Sequence, residues 1–466
     1  MTYNRRNYLE DKHINLDKYT GIGDNYFEKC YELTYIDIPN SITKLGKCCF
    51  KECENLKENN IPNSVIELGD NCFYGCSNLS KIKIPDSVIK IGEGCFRCKN
   101  LKEIEISNSI KELNWGCFIE CKNLTKIKIP DSVTKIGDNC FYECLNLEEI
   151  EISNLVKELG EGCFNGCLNL SKIKIPVSIV KMGNNCFYEC SNLKEIEIPS
   201  SIIELGEGCF NGCLNLSKIN ILESKFPIIL NNYCFKRCKK LKEIEIPNSV
   251  VKLGKGCFMC CANLSKINIP NSITVIDDDC FYGCSNLKEI EIPNSIKEIN
   301  KYCFSYCENL TKIKIPDSVT KLGDNCFEEC LKLKEIIIPN SVIEINKYCF
   351  SRCTNLTEIN IPSSVTKLDN TCFNKCTNLK ELNILKSNDS TNLVTKINNC
   401  YFQDCTNLKN INIVESDEST NLVKELDCKY IICCKNLKEI EIHNSIKELS
   451  NTCFIYCENL TKIKYY

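Results

Sequence analysis

Polar and apolar residues follow a short rule along this chain, shown by residues 72–94, CFYGCSNLSKIKIPDSVIKIGEG. Leu79, Ile82 and Ile84 lie on one side of an extended segment and Lys81 and Lys83 on the other, which predicts a half-buried strand. Pro85 ends it, because proline has no N–H for the ladder and fixes its own φ; twelve of the thirteen prolines follow isoleucine at this position. Val88 and Ile91 predict a second, shorter extended segment. Gly92 then permits a change of direction, and Gly94-Cys95-Phe96 begins a short helical turn. Asp70, in the unit before, stands where a helix N-cap is expected.

The rule is copied along the chain. Phenylalanine recurs at 27, 50, 73, 96, 118, 141, 164, 187, 210, 235, 258, 281, 304, 327, 350, 373, 402 and 454, with Ile431 in the one missing slot. The step is 23 residues almost everywhere, 22 once, 25 once, and 29 on each side of Phe402. Self-similarity at such a period predicts a solenoid. We expect an α/β fold of about nineteen coils of 23 residues, with a parallel sheet, short extended segments and short helical turns. Residues 1–22 form a lead-in or partial cap, and residues 23–466 the repeat domain. Each coil turns apolar side chains to one side and cannot bury them alone, so stability comes from stacking.

Composition narrows the function. Lys+Arg 58 against Asp+Glu 61 leaves a formal charge of −3, without the cation surplus of a nucleic-acid binder. No apolar stretch approaches the roughly 18 residues of a membrane span. The opening residues carry charges throughout and no apolar run of the roughly 7–15 residues of an export signal, which favours a cytoplasmic setting. His13 and His443 are the only histidines, no nucleotide or zinc-protease motif occurs, and carboxylate pairs such as Glu103/Glu105 are copied rather than convergent. No enzyme, cofactor or metal site is expected.

The string C-x-N-L-x-x-I-x-I-P-x-S-[VI]-x-x-[IL]-G-x-x-C-F, as in CSNLSKIKIPDSVIKIGEGCF, resembles the BspA-type (Treponema-like) leucine-rich repeat family over about residues 20–466. The resemblance implies protein–protein contact without catalysis, in a family that includes surface and adhesion proteins. Members commonly have alanine before the phenylalanine, whereas this chain has cysteine there in sixteen units.

Forty cysteines need a reading of their own. Sixteen precede the phenylalanine and nineteen occupy a second slot, as in Cys72 with Cys76 and Cys140 with Cys144. Small packed hydrophobes are one reading. A ladder of disulfides between coils, in a surface adhesin of the same fold, is another. A thiol- or metal-binding protein is the third. Cys48, Cys260, Cys400, Cys428 and Cys433 fall outside both columns and are expected to be more exposed.

Outward strand positions alternate in sign: Lys81/Lys83, Glu103/Glu105, Lys126/Lys128, Glu149/Glu151 and onward, a 46-residue pair of units. EGCFNGCLNLSKI recurs verbatim at 161–173 and 207–219. In a parallel stack each lysine then has glutamate neighbours, which holds the register and offers a striped, locally neutral face to a protein partner. The alternation decays after Glu335, where Ile337, Asn360, Asn383 and Asn412 appear. Two polar inserts, Ser387–Val394 with Asp389 and Ser416–Val423 with Asp417 and Glu418, are expected to project together as a lip. Sequons at Asn78, Asn123 and Asn169 occupy a slot that is asparagine whether or not Ser/Thr follows, so a turn role is expected. Leu460, Ile463 and Tyr465-Tyr466 form a strand that suggests end-to-end self-association.

Overall fold

The computed structural model describes residues 16–369, 371–385, 404–414, 434–442, 454 and 456–465. They belong to two compact units, Met1–Ile228 and Ile229–Tyr466, built from the same coil.

One coil shows the construction. On strand Lys81–Lys83 the central Ile82 is buried and both lysines are exposed, and Leu79 and Ile84 are buried on either side. The Pro85 carbonyl accepts the Val88 N–H at 3.0 Å, closing the turn that leads to strand Lys90–Ile91. The predicted helical turn takes the form of linked three-residue turns. In the coil of Phe50, the N–H groups of Cys49, Lys51 and Cys53 reach back to Gly46, Cys48 and Phe50. Those of Cys48, Phe50 and Glu52 instead donate to Asp70, Cys72 and Tyr74 of the next coil, at 2.8, 2.8 and 2.6 Å. This alternation is possible because Cys48 and Glu52 are left-handed, with φ of 52° and 57°. Leu16–Lys18 is the only helix among the described residues, a single 3-10 turn.

Each coil therefore carries three backbone ladders: a first sheet, a second sheet and the turns. In the first unit the first sheet runs through Glu58–Asn60, Lys81–Lys83 and Glu103–Glu105, then Lys126–Lys128, Glu149–Glu151 and Lys172–Ile173, then Glu195–Ile198 and Lys218–Ile221. Its ladder is interrupted between these three groups. In the second unit it runs through Glu243–Glu245, Lys266–Asn268, Glu289–Glu291 and Lys312–Lys314, continues through bridges at Ile337, and resumes in Glu358–Ile361, Glu381–Leu385 and Asn410–Val414. Every pairing is parallel and one coil apart, as in Lys81↔Glu103 and Lys83↔Glu105.

Phenylalanines form the spine of the core. From Phe27 to Phe210 in the first unit, successive rings stack with centroids 5.2–5.7 Å apart. From Phe235 to Phe373 in the second, the spacing is 5.4–5.8 Å. Such offset pairs add roughly 0.5–1.5 kcal/mol each beyond the area they bury.

Two glycine and aspartate readings change. A Cβ on Gly92 would lie 2.4 Å from the Asp70 nitrogen, so glycine is needed for the approach of one coil to the next, not for a change of direction. Asp70 does not cap its own turn: its carboxylate accepts the Glu93 N–H of the following coil at 3.1 Å.

Candidate functional site

The sequence-predicted surface residues fall into one group on each unit. Lys81, Lys83, Glu103, Glu105, Lys126 and Lys128 all lie exposed on the outer face of the first sheet. Register places opposite charges side by side, and several pairs close: Lys81–Glu103 at 2.8 Å, Lys83–Glu105 at 3.4 Å and Lys126–Glu149 at 3.2 Å. The Lys81 hydrogen bond holds the Glu103 carboxyl below its ordinary value. The second sheet repeats the device. Glu67 stands between Lys90 and Lys44 at 2.9 and 3.0 Å, and hydrogen bonds from these two lysines, Lys90 first, draw its carboxyl down.

On the second unit the stripe changes character. Ile337 bridges Lys314 on one side and Asn360 on the other. Asn360 is in register with Asn383, whose Nδ2 donates to the Asn360 Oδ1 at 2.8 Å, and Asn383 is in register with Asn412. The four residues named from the sequence thus share one row across consecutive coils. Ile337 is 82% exposed. The neighbouring row was missed: Glu358 pairs in register with Glu381, and Glu335 holds the same position one coil earlier, so three glutamates follow one another. None has an ion-pair partner among the described residues. Counting signs at the first outward position of each strand would have found it. Asp389, Asp417 and Glu418 lie outside the described residues, as do the lip, His13, His443, Cys400, Cys428 and Cys433.

The described cysteines are thiols, and most are fully buried. In the second column Sγ donates to the phenylalanine carbonyl of the preceding coil, as in Cys76 to Phe50 at 3.1 Å, Cys144 to Phe118 at 3.2 Å and Cys307 to Phe281 at 3.3 Å. Burial pushes these groups up, Cys121 to about 12, so they stay protonated donors. Cys260 is half-buried, but Cys48, expected at the surface, is only 8% exposed because its turn is bonded onto the next coil. Among the described residues no three His, Cys, Asp or Glu side chains converge to hold a metal ion. No helix there is long and apolar enough to cross a membrane.

The sequon asparagines have a role beyond the turn. Nδ2 of each donates to Oδ1 of the one before: Asn78 to Asn55 at 3.1 Å, Asn123 to Asn100 at 2.9 Å, Asn169 to Asn146 at 3.0 Å.

The chain is similar to a leucine-rich repeat protein from Bacteroides ovatus, with 33% identity, 76% of this chain and 87% of that chain covered, and a TM-score of 0.62. A leucine rich cell surface protein from Faecalibacterium prausnitzii shares 24% identity over 78% of this chain and 88% of its own, with a TM-score of 0.40. The pneumococcal vaccine antigen PcpA shares 18% over 83% and 89%, with a TM-score of 0.48. No curated protein matches. The model of the BspA type leucine rich repeat region matches residues 20–144, 111–228, 226–334, 297–418 and 385–466. With coils stacked in the same parallel register within each unit, this chain belongs to the BspA-type leucine-rich repeat family.

Proposed function

We propose that the chain is a non-catalytic scaffold that binds a protein partner on the outer face of its first sheet. The observation that carries this reading is Ile337, 82% exposed on a row whose other strands present charged or amide side chains. An apolar side chain held in the open by a rigid sheet gains from being covered, and beside it Glu335, Glu358 and Glu381 favour basic groups on the partner. Asn360 and Asn383 supply amides on the same row, and Asn412, Asp389, Asp417 and Glu418 are further contact candidates from the sequence. On the first unit Lys81, Lys83, Glu103, Glu105, Lys126 and Lys128 add a neutral striped face that suits a protein better than a phosphate backbone. Catalysis has no support in such a surface, since its charges recur coil by coil and a reaction needs one converging set.

Affinity capture from the source extract with the intact chain, an Ile337→Lys variant and a chain lacking residues 373–466 tests this. The expected result is a protein retained by the intact chain and lost by both others. Equal retention by Ile337→Lys would overturn the assignment.

A further inference from the structure

The repeats act as their own reference, and one corner of the first unit departs from it. Between the two strands of each coil runs Pro-x-Ser, or Ser-x-Ser, with x and the following serine polar: Asn63-Ser64, Asp86-Ser87, Asn108-Ser109, Asp131-Ser132 and Ser200-Ser201. Two adjacent coils break this. Leu155 replaces the serine in one and Val177 replaces the polar residue in the next, and they are 55% and 74% exposed. Val180 and Ile203, at a position that is also apolar and exposed in Ile66 and Ile89, extend the patch at the start of the second sheet, joined by the Ile203 N–H to Val180 carbonyl bond at 3.0 Å. Phe226, 62% exposed, lies in the corresponding connection of the coil after Ile203. Five exposed apolar side chains on four successive coils are more than scattered surface residues.

The adjoining sheet is open at the same place. Lys126–Lys128 pairs with Glu149–Glu151 along its whole length, but the next pairing stops at Ile150↔Ile173, so Glu151, held on one side by Lys128, is not paired with Lys174 on the other. A shallow depression forms there, with Glu149 and Glu151 on one side and Lys172 and Lys174 on the other. Glu151, Lys172 and Lys174 have no ion-pair partner among the described residues.

We infer that this corner is a self-complementary interface, on which a second copy of the chain docks about a two-fold axis. The charges decide the occupant. An acidic partner would satisfy the lysine row and repel the glutamate row beside it, and a basic partner the reverse. A two-fold axis between the rows sets each copy's Glu151 against the other's Lys174, satisfies both rows together, and covers Leu155, Val177 and their neighbours. Because such an interface uses the same patch on both molecules, it closes at two and does not propagate.

Sedimentation equilibrium of the intact chain over a hundredfold concentration range tests this. The expected result is a monomer–dimer equilibrium. Leu155→Asp combined with Val177→Asp gives a monomer with unchanged far-UV circular dichroism. Glu151→Lys and Lys174→Glu each weaken the dimer roughly tenfold, and the two together restore it, because the swapped rows are again complementary. A strict monomer, open-ended growth of the kind expected from end-to-end pairing, a dimer that survives the double aspartate variant, or a failure of the paired reversal to rescue would each overturn the inference.

Discussion

The Sγ of Cys144 donates to the carbonyl oxygen of Phe118, one coil back, at 3.2 Å, while that of the equally buried Cys140, four residues earlier on the same turn, meets the backbone of Phe118 and Cys117 instead of donating to that carbonyl. The two cysteine columns therefore do different work. The second donates to the phenylalanine carbonyl one coil back, whereas the first sits against other backbone groups of that coil, as where Cys372 donates to the Asn346 carbonyl at 3.3 Å.

Cys144→Ala is accordingly expected to cost more than Cys140→Ala. Both remove a buried sulfur, but only the first leaves the carbonyl without its thiol donor, a difference of roughly 0.5–1.5 kcal/mol. Urea unfolding of the two variants side by side measures it, and equal losses would contradict the division.

Alkali should unfold the chain at lower pH than its lysines alone would require. Burial raises the folded-state thiols, Cys121 and Cys405 to about 12, above the ordinary thiol value near 8.5. Between those limits the unfolded chain has released protons that the folded chain retains, so stability present below about pH 8.5 is lost as pH rises, at about 1.4 kcal/mol per pH unit for each such thiol. Urea midpoints followed from pH 7 to pH 11 should fall steeply, and less steeply when several second-column cysteines are replaced by valine.

Gly92→Ala should destabilise by more than the few tenths of a kcal/mol usual at a loop glycine. The added carbon meets backbone at 2.4 Å, and only separation of the coils relieves the clash; overpacking of this kind costs roughly 1–3 kcal/mol. Gly23, with nothing within 4 Å of an added Cβ, is the control. Thermal melts of Gly92→Ala and Gly23→Ala should differ clearly.

Glu67→Lys should turn two attractive contacts, with Lys44 and Lys90, into two repulsive ones. All three side chains touch solvent, so the loss is modest and depends on ionic strength. A lowered urea midpoint in dilute buffer should recover in about 1 M salt, where the screening length is near 3 Å.

Much of this architecture was readable residue by residue. Ile82 and Lys83 announced a strand and its facing, because a period of two survives in any half-buried sheet, and the Phe spacing announced the stack. Ile337 and Asn360 were noticed because they interrupt a pattern. What escaped detection depends on the distance between coils: the need for glycine at Gly92, the thiol bond from Cys144, and the amide chain through Asn123. Each looks like a property of one coil when read along the chain, yet is a contact with the next. Leu155 and Val177 escaped for another reason, since a single apolar residue in a connecting turn carries no period.

The alternation of lysine and glutamate strands also limits how the gene can change. Recombination that removes or inserts two coils leaves every lysine beside a glutamate, whereas loss of a single coil throws the remainder out of phase and joins like to like. Glu358 beside Glu381 is not such a scar, because the second sheet of the same coils keeps its phase through Lys321, Glu344 and Lys367. Along the regular stretches, therefore, variants of this molecule should differ in length by even numbers of coils, and a scar of matched charges should mark any that do not.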